Sequence, residues 1–383
     1  MQKLEELIQK LCPNGVEYKK ICEVTNILRG KRLTKSQLLE DGLYPVYHGS
    51  LSPLGYYNKA NRESDTVIVV NTGGIGGVGY SAAPFWCSDG CFCIEHCKIL
   101  INKFIYYFLV GFQDYFVSRI RTGGVPTIDK DTVGNIKIPI PPIEVQEEIV
   151  RILDKFTELS AELSAELSAR KKQYNYFCDK LLTQSNHISY KKVKDLAKFT
   201  YGFTDKAKDA GNVRYIRITD IDETGCLKHD DKKFLNISEN NHSYLLKKGD
   251  LVMARTGATF GKTLYFEDNE PSIYASFLIK IELDNNKILN RFYWHFSKSS
   301  LYWEQANNLV STGGQPQFNT GAIGQVVVPV PPLEEQERIV AILDRFDKIC
   351  NDISEGLPAE IEARQKQYEY YRDKLLTFEE IAQ

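Results

Sequence analysis

A chain of 383 residues with 43% hydrophobic and 26% charged side chains suits two or three ordinary domains with buried cores, which excludes a disulfide-stapled miniprotein and a low-complexity polymer. No run approaches the roughly 18 uninterrupted apolar residues of a membrane span, and the acidic, amphipathic start Met1-Gln2-Lys3-Leu4-Glu5-Glu6 is unlike a signal peptide. Nine cysteines, an odd number without a disulfide spacing, read as reduced thiols, so a cytoplasmic protein with no membrane association is expected.

The formal net charge of −2 conceals a division. Residues 1–142 carry 16 Lys and Arg against 13 Asp and Glu, and residues 184–332 carry 19 against 16. Residues 143–183 carry 6 against 8, and residues 333–383 carry 7 against 13. Two mildly basic bodies alternate with two acidic segments, which permits nucleic acid as a ligand without demanding it.

In chain order, the first body (1–142) has a strand-like run at Thr66–Val70 and a helical pattern after Asn102, the mixture of an α/β or α+β fold. Between them lies Asn71-Thr72-Gly73-Gly74-Ile75-Gly76-Gly77-Val78-Gly79-Tyr80. A dinucleotide fingerprint needs a helix opening directly after its glycines. Here Ser81-Ala82-Ala83-Pro84-Phe85 follows, so a turn or hairpin that shapes a loop is expected instead. Cys87, Cys91, Cys93 and Cys97 with His96 do not have a usual zinc spacing, and Ser272, Ser276, Leu278 and Glu282 stand in their places further on. No metal is expected.

Segment 143–183 follows Pro141-Pro142, which suit a helix start, and Glu144, Glu147 and Glu148 crowd the positive end of its dipole. Ile149, Leu153, Phe156, Leu163, Tyr174 and Leu181, with Leu159, Leu167 and Phe177 between them, form one stripe with spacings of mostly three or four. That predicts a helix about 60 Å long at 1.5 Å per residue. It contains a short tandem, TELS-AELS-AELS, at 157–168. Four helical residues change a length by roughly 6 Å, against about 3.4 Å per base pair of DNA. The tandem therefore reads as a ruler or as a solvated low-complexity segment.

The second body (184–332) has strand-like runs at Tyr215–Thr219 and Asp250–Ala254 and a helical pattern after Asn290. The last segment (333–383) opens after Pro331-Pro332 and repeats the stripe with Ile339, Leu343, Phe346, Ile353, Tyr368 and Leu375. Gly356-Leu357-Pro358 predicts a kink or break in it.

The chain is a duplication. Residues 139–156 and 329–346 agree at 12 of 18 positions, and residues 169–183 and 363–377 agree at 11 of 15. Tyr18-Lys19-Lys20-Ile21 pairs with Tyr190-Lys191-Lys192-Val193, and Thr122-Gly123-Gly124 with Thr312-Gly313-Gly314. Each half is one divergent body followed by one well-matched helical tail. The two tails carry the same stripe, so the expected packing is an antiparallel, coiled-coil-like pair holding the bodies apart with internal pseudo-two-fold symmetry.

Catalytic chemistry is missing. No Asn-Pro-Pro-Tyr or Asp-Pro-Pro-Tyr corner, Walker loop or Asp…Glu-x-Lys nuclease constellation is found, and six scattered histidines define no triad. Basic, aromatic and amide side chains instead mix within each body: Arg29, Lys31, Arg32, Lys35, Tyr47, His48, Thr72, Arg121 and Thr122 in the first. The second has Lys206, Arg214, Arg217, Arg255, Thr256 and Lys262, then Thr312, Gln315 and Gln317. Lys and Arg neutralise phosphates, while Arg, Gln and Thr read base edges. Each of these residues alone also reads as ordinary solvated surface.

Two variable bodies alternating with two near-identical helices resemble the specificity subunit of type I restriction–modification systems over essentially the whole chain. The most specific elements are PIPPIEVQEEIVRILD and PVPPLEEQERIVAILD, the Tyr-rich ends at Lys180-Leu181-Leu182 and Lys374-Leu375-Leu376, and the AELS tandem. The resemblance implies a non-catalytic chain whose bodies are target-recognition domains, each reading half of a split, asymmetric site in double-stranded DNA. It implies helices that set the gap and dock two methyltransferase subunits, which bind S-adenosylmethionine and methylate adenine, and a restriction/translocase subunit besides. No cofactor is expected in this chain. Two rivals stay open here: a two-headed adaptor binding protein or carbohydrate, and a self-sufficient modification enzyme.

Overall fold

The computed structural model describes residues 2–183, 188–222, 224–311, 313–352 and 356–381. The chain forms two compact units, the first of residues 1–162 and 361–383 and the second of residues 163–360. Both boundaries fall inside helices.

Unit 1 contains strands β1 (Glu17–Lys20), β2 (Ile27–Arg29), β3 (Tyr44–Tyr47), β4 (Gly55–Tyr57), β5 (Thr66–Val70), β6 (Val78–Ser81), β7 (Trp86–Cys87), β8 (Cys91–Ile94) and β9 (Lys137–Ile140). Its helices are α1 (Gln2–Leu11), α2 (Ile21–Val24), α3 (Asn102–Val110), α4 (Gln113–Ser118), α5 (Lys130–Gly134) and the first half of α6 (Ile143–Thr183). The main sheet is antiparallel in the order β2-β8-β5-β6. Its central strand, Thr-Val-Ile-Val-Val, is buried at every position, so β-branched side chains fill both faces. A smaller sheet, β4-β3-β7, joins an antiparallel pair to a parallel one. The β1–β9 pair carries the chain into α6.

Unit 2 repeats this plan with β10 (Ser189–Lys192), β11 (Ala197–Tyr201), β12 (Val213–Ile216), β13 (Phe234–Leu235), β14 (Leu251–Ala254), β15 (Thr263–Tyr265), β16 (Ser272–Tyr274), β17 (Leu278–Leu283) and β18 (Val327–Val330). The sheets β11-β17-β14-β15 and β13-β12-β16 and the pair β10–β18 match those of unit 1 strand for strand and in sense. Helices α7 (Asn290–Phe296), α8 (Ser300–Leu309), α9 (Thr320–Ile323) and α10 (Leu333–Asn351) follow, then α11 (Leu357–Leu375), most of which belongs to unit 1. The mixed helix-and-sheet class, the internal repeat and the long helix are as the sequence predicts.

One glutamine per unit ties helix to body. Gln146, fully buried near the start of α6, accepts from the Ile101 N–H at 2.8 Å and donates to the carbonyls of Ile99 (2.8 Å) and Pro141 (2.7 Å). Gln336 does the same with Leu289 (2.9 Å), Lys287 (2.9 Å) and Pro331 (2.8 Å). In each case the amide satisfies an N–H at the N-terminal edge of α3 or α7 that has no partner within the helix.

The stripe is buried as expected at Ile149, Leu153, Leu163, Tyr174, Ile339, Leu343, Tyr368 and Leu375, and half-buried at Phe156 and Phe346. Leu181 is only half-buried; its neighbour Leu182 takes the enclosed position. Ile353 lies outside the described residues. Within unit 1, α6 packs on α11, with Phe156 stacked on Tyr371; within unit 2 it packs on α10, with Phe346 stacked on Phe177. The last segment is not one helix to residue 383. Helix α10 ends at Asn351, Asp352 and Gly356 lie outside any helix, and α11 runs from Leu357 to Leu375 with Pro358 in its first turn. Beyond it the backbone pairs with the first body, Val16 donating to Glu379 at 2.8 Å and Ile381 to Val16 at 3.1 Å. The strand expected at Tyr215–Thr219 stops at Ile216, because Asp220 accepts from the Arg217 N–H at 2.7 Å and closes a 3-10 turn.

Candidate nucleic-acid interface

In unit 1 the glycine-rich stretch is a hairpin between β5 and β6, closed by Val70 N–H donating to Gly77 at 2.8 Å. The loop that carries Arg121-Thr122-Gly123-Gly124 lies alongside it. Thr127 Oγ1 donates to the Asn71 carbonyl at 2.8 Å, and Ile128 N–H donates to the same oxygen at 3.0 Å. A Cβ on Gly123 or Gly124 would meet no atom within 4 Å, so that loop tip stands free of the body. Gly49, φ +64, brings the end of β3 against the hairpin, where its carbonyl accepts from Gly74 N–H at 2.8 Å. Arg29, Asn71, Arg121, Thr127 and Lys130 thus line one cleft of about 520 Å³.

The sequence candidates of unit 1 fall on this face to different degrees. Arg29 is exposed, its Nε donating to the Asp89 carbonyl at 3.2 Å, and the exposed His48 places Nδ1 3.3 Å from the Asp89 carboxylate. Thr72 faces Thr127, hydroxyl to hydroxyl, at 3.3 Å. Arg121 is exposed and paired with Asp129; Thr122 is exposed at the tip. Lys31, Arg32 and Lys35 are exposed on the segment after β2. Tyr47 is half-buried, its ring edge-on to Phe85 at 5.4 Å, and burial pushes its hydroxyl pKa up.

Unit 2 builds the same junction from other side chains. Phe318 N–H donates to the Arg255 carbonyl at 2.7 Å, and Gly257 N–H donates to Pro316 at 3.1 Å. Arg255, Gln315 and Gln317 therefore meet at one edge, the latter two exposed and half-buried. Thr312 lies outside the described residues. Lys206 is exposed, whereas the half-buried Lys262 lines a separate cleft with Lys171, Tyr174 and Lys298.

Three candidates are structural instead. Arg214 is 1% exposed, ion-paired with Asp268 at 3.5 Å and Glu270 at 3.9 Å, and donates to the Lys228 carbonyl. Arg217 spends its guanidinium on Asp220 at 2.7 Å and Asp231 at 3.3 Å. Thr256 is buried beside Gln317. The runs around the two arginines look like exposed basic patches, but their acidic partners lie three to 56 positions away in sequence.

Conversely, two aromatic residues outside the candidate set, Tyr201 and Phe277, flank Arg255 at 5.2 and 5.5 Å from its guanidinium carbon. The offset between Tyr18 and Tyr190 also aligns Arg29-Gly30 with Tyr201-Gly202. A Cβ on Gly30 would fall 2.0 Å from the Ser88 carbonyl, and one on Gly202 would fall 2.2 Å from that of Ala275. Both glycines permit the same close approach of strands, and that shared register was the available signal.

No group of three or more His, Cys, Asp or Glu side chains suited to a metal occurs among the described residues. Nor, among them, is any helix long and apolar enough to cross a membrane.

The family described as "Type I restriction modification DNA specificity domain" matches residues 13–170 and again 187–363. The chain belongs to this type I specificity family. A type I restriction enzyme specificity subunit of Haemophilus influenzae is 31% identical over 98% of both chains. The EcoR124I/EcoR124II specificity subunit of Escherichia coli is 34% identical over 72% of this chain and 70% of its own. In fold, the crystal structure of the type I restriction–modification S subunit from M. genitalium aligns over 94% of this chain and 96% of its own, with a TM-score of 0.63 at 18% identity. Membership makes this chain a DNA-specificity component, not a catalytic one. The matched family and these relatives lend no support to the adaptor or the self-sufficient enzyme.

Proposed function

We propose that each unit reads one half of a split, asymmetric DNA site through the loop junction at the end of β5 or β14. The long helices set the distance between the halves and seat two adenine methyltransferase subunits. A restriction/translocase subunit joins the same assembly, which works on genomic DNA in the cytoplasm. S-adenosylmethionine is held by the methyltransferase partner. The carrying observation is one backbone junction presenting different chemistry in its two copies: Arg29, His48 and Arg121 in unit 1, Arg255, Gln315 and Gln317 in unit 2. Direct readout needs that combination, a fixed frame with variable donors and acceptors at the groove. Unlike readers on a repeated frame also favour a non-palindromic target.

The test co-expresses this chain with the methyltransferase encoded beside it and maps methylated adenines across genomic DNA. One split motif that depends on this chain is expected, and exchange of residues 184–332 for those of a relative should alter one half alone. A complex that forms but methylates no defined motif would overturn the reading.

A further inference from the structure

The two units differ at the residue that follows the central strand, whose carbonyl accepts from Ile128 in one and from Phe318 in the other. In unit 1 it is Asn71, which is buried. In unit 2 it is Arg255, half-buried, its guanidinium between the rings of Tyr201 and Phe277. These rings are themselves 42% and 52% exposed, so the stack lies at the surface. Tyr201 is fixed from behind, its hydroxyl 3.2 Å from that of Thr320.

Arg255 Nε donates to the Ser276 carbonyl at 3.1 Å, and the two terminal nitrogens make no hydrogen bond or ion pair among the described residues. With Nε engaged and the rings beside it, the edge bearing the two Nη groups is what remains for a ligand. Arg214 and Arg217 in the same unit are matched to carboxylates, whereas Arg255 is not. Here two rings lie beside the guanidinium, Nε is held by a carbonyl, and the terminal donors are unspent. Gln315 joins the same edge, its Nε2 3.2 Å from where a Cβ on Gly257 (φ +72) would sit. A planar double donor, anchored at Nε and flanked by rings, matches guanine, whose O6 and N7 face the major groove side by side.

We propose that Arg255 is a specificity-determining residue that selects a guanine in the half-site read by unit 2. This rests on the DNA-reading function proposed above.

The experiment uses the complex with its methyltransferase and the motif it methylates, the unit 2 half being the one altered by exchange of residues 184–332. Duplexes carrying 7-deazaguanine at each guanine of that half are compared for binding to the unaltered complex. One position should lose affinity by about tenfold or more. Methylome mapping with Arg255→Lys should relax selection at that position and leave the other half intact. The proposal is wrong if the unit 2 half contains no guanine, or if no 7-deaza substitution costs more than about twofold. It is equally wrong if Arg255→Lys lowers methylation at an unchanged motif, since the side chain would then grip phosphate. Should Arg255→Lys yield no methylation, the 7-deaza series with the unaltered protein decides. If the unaltered complex has no split motif, the proposed function itself fails, and this inference with it.

Discussion

Phe156 stacks on Tyr371 with ring centroids 5.5 Å apart and planes 25° from parallel, and the equivalent rings of unit 2, Phe346 on Phe177, repeat the distance at 26°. Two copies that diverge elsewhere have kept one geometry where α6 meets a partner helix. Half-buried stacked rings combine burial with an offset-stacking gain. Phe156→Ala and Phe346→Ala should each lower stability by about 2 kcal/mol in urea unfolding. Because the pairs share no partner, the double variant should lose the sum to within about 0.5 kcal/mol. A double variant costing no more than one single would show that the two contacts do not act independently.

Gln146 makes three hydrogen bonds with no exposed surface, so its replacement leaves an N–H and two carbonyls short of a partner. Gln146→Ala should cost about 3 kcal/mol. Gln146→Glu keeps the shape and the acceptor but loses one donation when protonated and both when ionised, and ionisation buries a carboxylate. That carboxyl's pKa must rise, so the unfolded chain ionises first and stability falls with increasing pH. Gln146→Glu should therefore be more stable relative to wild type at pH 5 than at pH 8. Equal penalties at the two values, read by denaturant titration, would refute this account.

Much of the frame was legible because the duplication shows which positions are held. The prolines, the glutamine and the stripe recur at fixed offsets, and each proves to be a helix start, an anchor or a buried contact. The site was harder to read. Arg214 within a buried strand and Arg255 directly after one are both basic, and only tertiary neighbours separate them: Asp268 and Glu270 neutralise one, while two rings flank the other. Leu181 and Leu182 show a smaller limit: Leu181 continues the stripe four residues after Phe177, yet the buried row runs through Tyr174, Cys178 and Leu182.

His295 is buried in unit 2, with Nδ1 3.0 Å from the Tyr174 hydroxyl and Nε2 2.7 Å from Asp344 Oδ1. The neutral ring protonated at Nε2 satisfies both contacts. Burial lowers its pKa from the ordinary 6.5, against the opposing pull of Asp344; nearby Lys298 and Arg291 lower it further. The unfolded chain therefore takes up the proton first, and stability should fall as pH drops below about 6.5. For Asp344, burial alone would raise the pKa, but the bonds from His295 and Arg291 hold it below its ordinary value. Its contribution is present above about pH 4 and is lost below that. Unit 1 places Tyr107 at the equivalent position, 2.5 Å from Asp154. His295→Gln should flatten the stability profile between pH 6.5 and 5. An unchanged slope would mean that other groups set it.

The tandem at 157–168 lies wholly within the continuous helix α6, with Leu163 buried and Ser160 and Ala161 half-buried and exposed. Deleting Ala161–Ser164 removes one unit and restores the AELS pattern at the join. Four residues remove roughly 6 Å of helix and about 400° of rotation, a net turn of some 40°. The stripe beyond the deletion is thus turned only slightly, and a folded protein with a shorter helix is expected. If α6 sets the separation of the reading units, the methylated motif should keep both half-sites and shorten its gap by one or two base pairs, at about 3.4 Å each. Insertion of one AELS unit should lengthen the gap by the same amount. A folded deletion variant that methylates the original motif with its gap unchanged would show that α6 does not set the separation.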